Sequence, residues 1–267
     1  MTQTQEKNAQ ASGSANTLVS HSVWDRGTRL FHWINVVCVL SLAILGLAIL
    51  NEKAFGVSAA GKVLLKTLHA YVGYVFAVNL GWRIAWAFIG NRHARWSAIL
   101  PFRSGFGAEL RAYLATWSTG HTRPYLGHNP LGRLMVLLLL VLLFSQAATG
   151  LILAGTDLYK PPFGGAIAEW VTEGDPDRLR QLQPGSQEHV VGSAYDEMRA
   201  FRKPVVTTHL YVFYLLMAAS VLHIIGVIVG EFRERSGLVS AMISGRKVIG
   251  EAPADGDLAA SSAENRS

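Results

Sequence analysis

Long apolar blocks separated by polar connections dominate the pattern along this chain. Four runs reach the length of about 20 residues that a helix needs to cross the hydrocarbon core of a bilayer. They lie at about residues 30–50, 63–89, 131–154 and 205–229. A soluble helical protein with buried helices is the alternative, and four runs of this length disfavour it. The pattern therefore predicts an all-α integral membrane protein, a four-transmembrane-helix bundle with up-down connections.

The polar segments around these runs predict the remaining organisation. Residues 1–22 and 250–267 have little apolar content, and we expect disordered tails on either side of one domain, residues 23–249. Amphipathic spacing in Gly105–Trp117 predicts a short helix at the membrane interface. A similar interfacial helix is expected at Gly237–Val248.

Charge asymmetry between the connections predicts the orientation of the bundle. Residues 90–130 contain five arginines and one acidic residue, whereas residues 155–204 contain eight acidic and six basic residues. Because cytoplasmic connections are enriched in Lys and Arg, both termini are expected in the cytoplasm and the 155–204 loop outside. Within this loop we expect short helices around Ala166–Thr172 and Ala194–Phe201. The same rule accounts for the net charge of +6, so no nucleic-acid partner is predicted.

Two further observations limit the kinds of site. The chain has one cysteine, Cys38, so it has no internal disulfide, no thiolate pair for a metal and no CxxCH motif for covalent haem attachment. We interpret Cys38 as a small buried apolar residue. The third run has no histidine, and its polar residues are expected to pack or to line a pocket: Ser145, Gln146 and Thr149.

Four histidines lie inside the apolar runs: His32, His69, His209 and His223. Ionisable groups at membrane depth are costly, so they mark function by default. His209 and His223 are fourteen residues apart, which places them on nearly the same helix face and about 21 Å apart along the axis. The helix directions place His32 and His223 near the cytoplasm, and His69 and His209 near the outer side. Two bis-histidine sites are therefore predicted, although His32 alone would also suit an interfacial residue.

The surroundings of these histidines favour haem over zinc. Zinc prefers four protein ligands, or three with a water, whereas two opposed imidazoles suit haem iron. Gly46, fourteen residues after His32, and Gly73, one turn after His69, would leave room for a flat ligand or for a close helix contact. Arg83 is expected to meet an anionic partner such as a haem propionate, or to snorkel to the lipid headgroups.

Short motifs surround these histidines and the start of the third run. They are RLFHW with His32, LHAYVGY with His69, GHNPLG, and HLYVFYLLMAASVLH with His209 and His223. With these motifs the chain resembles the bacterial cytochrome b561 family, which includes the b-type cytochrome subunit of nickel–iron hydrogenases, from about residue 24 to residue 248. The resemblance implies a multi-pass protein of the bacterial inner membrane. It also implies two haem b groups, held by these four histidines, that exchange electrons with membrane quinone.

The function that the resemblance implies is transmembrane electron transfer between the quinone pool and a periplasmic redox protein. That partner would be a c-type cytochrome or a hydrogenase-like enzyme, and the 155–204 loop, larger than in minimal family members, leaves the choice open. The chain would contact membrane lipid, a homodimer is a further option, and no catalytic residue is predicted. The alternatives are a stand-alone oxidoreductase, such as a superoxide:quinone oxidoreductase or an external-acceptor reductase, and a non-redox channel or anchor.

Overall fold

The structure is a computed structural model that describes residues 18–119 and 122–255. The disorder predicted for residues 1–17 and 256–267 therefore lies outside the described residues. In chain order the elements are strand β1 (Val19–Ser22), helices α1 (Arg26–Leu50), α2 (Ala59–Ile89), α3 (Trp96–Ile99), α4 (Phe106–Thr119), α5 (Pro130–Leu158), α6 (Gly164–Thr172), α7 (Pro176–Gln181), α8 (Gly192–Glu234) and α9 (Leu238–Ser244), and strand β2 (Arg246–Ile249).

Helices α1, α2, α5 and α8 are long and apolar enough to cross a membrane. Many of their large apolar side chains are exposed on the chain itself, as helix faces that meet lipid would be. The prediction of a mainly helical protein with four candidate membrane spans is confirmed. Helix α4 covers the segment expected to form a short amphipathic helix, and its place at the membrane interface stays a prediction.

Capping side chains set the starts of two of the long helices. Before α1, the Asp25 carboxylate accepts a hydrogen bond from the Thr28 N–H at 2.7 Å. Before α5, the Asn129 side-chain oxygen accepts one from the Gly132 N–H at 2.7 Å, and Pro130 occupies the first helical position. The first N–H groups of a helix have no partner within it, so these caps fix where each helix begins.

Helix α8 is longer than the sequence predicted. The short helix expected at Ala194–Phe201 is not separate but forms the first part of α8, which begins at Gly192 and continues through Pro204. A proline removes one helical hydrogen bond, a loss that long membrane helices tolerate. The early turns are held by packing, because Met198 is buried in a small cluster with Val171 of α6.

The chain divides into two compact units. We call Leu30–Ile89 with Met135–Leu222 the core unit, and Met1–Arg29 with Gly90–Leu134 and His223–Ser267 the terminal unit. In the core unit, apolar side chains from all four long helices form one buried cluster: Cys38, Phe76, Leu80, Leu142, Leu143, Leu216 and Ala219. Cys38 is a buried free thiol within this cluster, in agreement with its interpretation as an apolar packing residue.

In the terminal unit, strands β1 and β2 pair as a two-stranded antiparallel sheet. Val19 lies opposite Ile249, and Ser22 lies opposite Arg246. The disorder predicted for residues 1–22 is therefore wrong for Val19–Ser22. A strand of four residues has no stable hydrogen bonds until it meets its partner, and here the partner follows more than 220 residues later.

The helix predicted at Gly237–Val248 is shorter than expected, because α9 ends at Ser244 and the chain continues as β2. The turn depends on Gly245, whose φ of +82° favours glycine and where a Cβ would lie 2.6 Å from the Trp24 backbone oxygen. The Gly245 carbonyl accepts hydrogen bonds from the N–H groups of Val23 and Trp24. This glycine therefore ends the helix and directs the chain towards β1.

Candidate cofactor site

Two histidines face each other inside the core unit. His69 comes from α2 and His209 from α8, and their ring centres are 6.3 Å apart with the ring planes 70° from parallel. A metal–imidazole bond is about 2.0–2.1 Å long, and the ring centre lies about 1 Å beyond the nitrogen, so one ion between two imidazoles separates their centres by about 6 Å. The observed spacing suits an ion bound between the two rings.

Each of these imidazoles lies against a glycine of a neighbouring helix. A Cβ at Gly46 of α1 would be 3.5 Å from Cε1 of His69, and a Cβ at Gly150 of α5 would be 3.4 Å from Cε1 of His209. A larger side chain at either position would meet the ring. Gly73 lines the same cavity with open space around it. Gly46 and Gly73 were predicted from spacing, whereas Gly150 was missed because the third run contains no histidine to point to it.

The third long helix also supplies hydrogen-bond partners for Nδ1 of His209. Thr149 Oγ1 lies 2.8 Å from His209 Nδ1 and 2.6 Å from the Ser145 backbone oxygen. A hydroxyl has a single hydrogen, so when Thr149 donates it to Ser145, His209 Nδ1 must carry a proton and donate to Thr149. His209 Nε2 then keeps its lone pair, the form in which an imidazole binds a metal. In the orientation that satisfies its own amide, the Gln146 nitrogen would instead donate to Nδ1 at 3.0 Å, so the tautomer of His209 depends on which of the two side chains pairs with this nitrogen.

The other imidazole, that of His69, has a ring nitrogen with no hydrogen-bond partner in the described part of the protein. Nδ1 of His69 is buried and makes no hydrogen bond there. Buried polar atoms are nearly always paired in native proteins, so the unpaired Nδ1 is unusual, and a metal bound at Nε2 of the same ring would leave it unpaired. The polar residues of the third run were expected to pack or line a pocket, and Gln146 does line this one.

A cavity of about 270 Å³ opens beside the two rings, lined by α1, α2, α5 and α8. Its lining is mainly aliphatic and aromatic, with three charged residues among its members: Lys66, Asp157 and Arg202. Among residues 18–119 and 122–255, no group of three or more His, Cys, Asp or Glu side chains is placed to hold a metal ion. Two imidazoles in an apolar cavity therefore fit haem iron better than zinc, which requires more protein ligands.

The other predicted site residues lie elsewhere. The ring of His32 packs edge-on against Trp33 at 5.2 Å in the core unit, whereas His223 belongs to the terminal unit. Their pairing stays a prediction. Arg83 is buried in α2 with its guanidinium carbon 5.8 Å from the centre of the Phe31 ring, and is not among the residues that line the His69–His209 cavity.

Comparison with known proteins identifies the family to which the chain is similar. The family model for prokaryotic cytochrome b561 matches residues 23–245. A probable Ni/Fe-hydrogenase B-type cytochrome subunit from Rhizobium leguminosarum bv. viciae is 26% identical over 235 residues, which cover 85% of this chain and 88% of that protein. One from Cupriavidus necator is 26% identical over 246 residues, covering 90% and 91%. The Escherichia coli K12 subunit for hydrogenase 1 is 32% identical over 129 residues, covering 45% and 54%. No solved structure shows a significant match.

Proposed function

Because the chain belongs to the prokaryotic cytochrome b561 family, we propose that it carries electrons across the bacterial inner membrane through two b haems. The electrons pass between the quinone pool and a periplasmic redox partner. The observation that carries the proposal is the 6.3 Å separation of the His69 and His209 rings beside an apolar cavity. Two imidazoles that both bound a haem iron would leave it no open position for a substrate, so the bound group would serve electron exchange.

His69 and His209 hold the outer haem in this proposal, and the bound haem supplies reversible one-electron chemistry at its iron. With a metal on Nε2 of His209, Nδ1 would carry the ring proton and donate it to Thr149 Oγ1, which lies 2.8 Å away. Gly46 and Gly150 let the neighbouring helices approach the two rings. The apolar lining excludes water, and an apolar shell is one of the factors that set the potential of a redox centre.

His32 and His223 hold the inner haem. His223 follows His209 by fourteen residues within the same helix, α8, which places it on nearly the same face and about 21 Å farther along the axis. Two haems separated in this way would cover most of a hydrocarbon core about 30 Å thick. This spacing supports the second site, and the charge asymmetry described above supports pairing His223 with His32.

The proposed topology has four up-down spans and both termini in the cytoplasm. Pairing of β1 with β2 requires both ends of the described chain to lie on one side, as an even number of spans does. The basic connection of residues 90–130 favours the cytoplasm for that side. Helices α6 and α7 then belong to the periplasmic loop.

A hydrogenase-like enzyme is the proposed partner, because the relatives named above are described as cytochrome subunits of Ni/Fe hydrogenases. The periplasmic loop would be its docking region, since part of it folds around a small buried core of Ile167, Val171 and Met198. A c-type cytochrome remains the second candidate. Crosslinking from α6 or α7 in native membranes distinguishes the two, because each partner would be identified by its mass.

Counting haems in single-histidine variants tests the proposal. The purified wild-type protein should give a reduced-minus-oxidised spectrum of haem b and bind two haems per chain. His69→Ala and His209→Ala should each lose one haem, and it should be the same haem by its spectrum and potential. His32→Ala and His223→Ala should each lose the other one, because one axial ligand cannot replace two.

His189→Ala, in the long loop, is the matched control and should keep both haems. Retention of both haems by any of the four variants, or a colourless wild-type protein, would contradict the proposal. The stand-alone oxidoreductase remains an alternative with its own test, which is reduction of quinone by superoxide with no other protein present.

A further inference from the structure

Three charged side chains meet at one end of the His69–His209 cavity. Asp157 Oδ2 accepts hydrogen bonds from Lys66 Nζ at 2.6 Å and from Arg202 Nη2 at 2.9 Å, and Arg202 Nε donates to Oδ1. The arginine therefore binds the carboxylate with two parallel bonds, the geometry that fixes both groups most firmly. All three side chains are largely buried, with Asp157 the most buried of them.

Helix periodicity places each of these residues on the same face as a residue of the histidine site. Arg202 precedes His209 by seven residues, and Asp157 follows Gly150 by seven residues. Seven residues return to within about 20° of the same face and advance about 10 Å along the axis. Lys66 precedes His69 by three residues, slightly less than one turn. The three helices thus present their charged residues at one end of a cavity whose middle is occupied by the two imidazoles.

The charges at this end of the cavity do not cancel. A second, more polar cavity adjoins the first and shares Lys66 and Arg202 with it. Together the two linings contain four cations and two carboxylates, which leaves a formal charge of +2: Lys53, Lys62, Lys66 and Arg202 against Glu52 and Asp157. Asp157 is already shared by two cations, and Glu52 is paired with Lys62 at 2.5 Å. Partly buried positive charge is costly unless an anion accompanies it.

We propose that Lys66 and Arg202, held in place by Asp157, bind the two propionate carboxylates of the haem between His69 and His209. The inference rests on the proposed function, because it requires a haem at that site. Haem has an apolar body with two carboxylates at one edge, which matches an apolar cavity with two cationic side chains, Lys66 and Arg202, at one end. Asp157 is a positioning residue, since it acts through Lys66 and Arg202.

This assignment differs from the one that the sequence suggested. The sequence suggested a haem propionate or the lipid headgroups as the partner of Arg83, and Arg83 contacts Phe31 and does not line this cavity. Lys66 and Arg202 lie at the polar ends of their apolar runs, where basic residues are common, so the sequence alone gave no reason to single them out. A role for Arg83 towards the other haem stays a prediction.

Discrimination between haem b and its dimethyl ester tests the assignment, because the ester keeps the ring and the iron but has no carboxylates. The full-length apoprotein, made in haem-deficient cells, is loaded in membranes with each compound. The wild-type outer site should prefer haem b. Lys66→Met and Arg202→Met should each reduce that preference about tenfold, the value of one charge-assisted hydrogen bond.

A second measurement uses the haem-loaded protein. Removal of a positive charge near a haem favours the oxidised iron, so each variant should lower the midpoint potential of the outer haem. A charge roughly 10 Å away at an effective dielectric constant of about 20 changes the equilibrium about tenfold. For a one-electron couple, a tenfold change is 59 mV.

Lys203→Met is the matched control, because Lys203 is the exposed neighbour of Arg202 and lines neither cavity. It should change neither the ester preference nor the potential. Arg202→Lys keeps the charge and should retain most of the preference, which provides a second variant if Arg202→Met does not fold. Lys66→Met tests the other cation separately.

The outcomes separate the two proposals. If the wild-type protein binds no haem, or if His69→Ala and His209→Ala keep both, the proposed function fails. If the outer haem behaves as proposed but the ester binds equally well in wild type and variants, only the propionate assignment fails. If the variants instead lose a copurified anionic phospholipid and keep their ester preference, the cations bind a lipid headgroup and the assignment is wrong.

Discussion

The core unit and the terminal unit bury charged groups in different ways. In the core unit, Lys66 and Arg202 share one carboxylate at the end of a cavity, and Nδ1 of His69 is buried without a partner in the described protein. In the terminal unit, Lys247 is fully buried, and its ammonium donates to the backbone oxygens of Tyr125 at 2.8 Å and Gly127 at 3.3 Å.

The difference separates a binding site from a structural contact. The polar groups of the core-unit cavity can form further hydrogen bonds with a ligand. The Lys247 ammonium instead donates its hydrogen bonds to the backbone of one loop. The same loop is held from another direction by Asp255, whose carboxylate accepts from the N–H groups of Leu126 at 2.7 Å and Gly127 at 2.9 Å. Buried charge alone therefore does not mark function here, whereas buried polar groups with further bonding capacity beside a cavity do.

His93 illustrates the same rule in the terminal unit. Burial and the neighbouring positive charge of Arg92 together lower the pKa of His93 to about 4, and Arg92 Nε donates to His93 Nε2 at 3.0 Å. The imidazole is therefore neutral at physiological pH and accepts a hydrogen bond. Its side chain is buried in a connection between two long helices. A satisfied neutral histidine in a loop is a packing group.

The largest effect is expected from closing the core-unit site. Gly150→Leu places a side chain against the His209 ring, which has room for little more than a Cβ, and should abolish binding of the outer haem. Gly81→Leu on α2 is the control, because nothing lies within 4 Å of a Cβ there, and it should keep both haems. Haem content by difference spectroscopy is the measurement. Equal haem content in the two variants would mean that the cavity is not the site.

A smaller effect is expected from loosening the terminal unit. Asp255→Ala removes the acceptor of two backbone N–H groups and should destabilise the unit by about 2 kcal/mol, a typical value for hydrogen bonds to a charged group. Hydrogen exchange of the β1 and β2 amides should become correspondingly faster, with the outer haem unaffected. Glu251→Ala, an exposed acidic residue in the same segment, should leave the exchange unchanged. Loss of the outer haem in Asp255→Ala would remove the distinction drawn between the two units.

The smallest effect is a pH dependence specific to the terminal unit. Burial lowers the pKa of Lys247 from 10.5 to about 8. Between these two values the unfolded chain binds more protons than the folded one, so stability rises with pH by at most about 1.4 kcal/mol per pH unit. Exchange of the β1–β2 amides, corrected for intrinsic rates, should therefore slow from pH 8 to pH 9. Lys247→Met should lose this slope, and an unchanged slope would show that another group titrates.

The sequence predicted most of the core unit, because run length and helix periodicity can be read from neighbouring residues. Run length gave the four candidate spans, and helix periodicity together with chain direction placed His69 near His209, as the structure does. Gly150 and Thr149 could not be found in this way, since their role depends on which face of α5 packs against His209. The roles of His32 and His223 as ligands of a second haem stay predictions.

The sequence did not predict most of the terminal unit, because the residues that contact each other in it lie far apart along the chain. Strand β1 is short and does not alternate, and its only hydrogen-bond partner among the described strands follows more than 220 residues later. The buried Lys247 looks like one more juxtamembrane basic residue until the loop that it contacts is known. The break between α9 and β2 could have been read from Gly245, but a glycine near a helix end is a common and weak signal.

The pairing of β1 with β2 also has a consequence for biosynthesis. Because β2 is translated more than 220 residues after β1, the terminal unit cannot close until all four candidate spans have been made. At about 5–20 residues per second, the first strand waits on the order of ten seconds or more for its partner. A chain that is cut short before Arg246 keeps all four candidate spans yet leaves that strand unmatched. Such a product would give the cell's proteases an exposed edge by which to recognise an unfinished molecule.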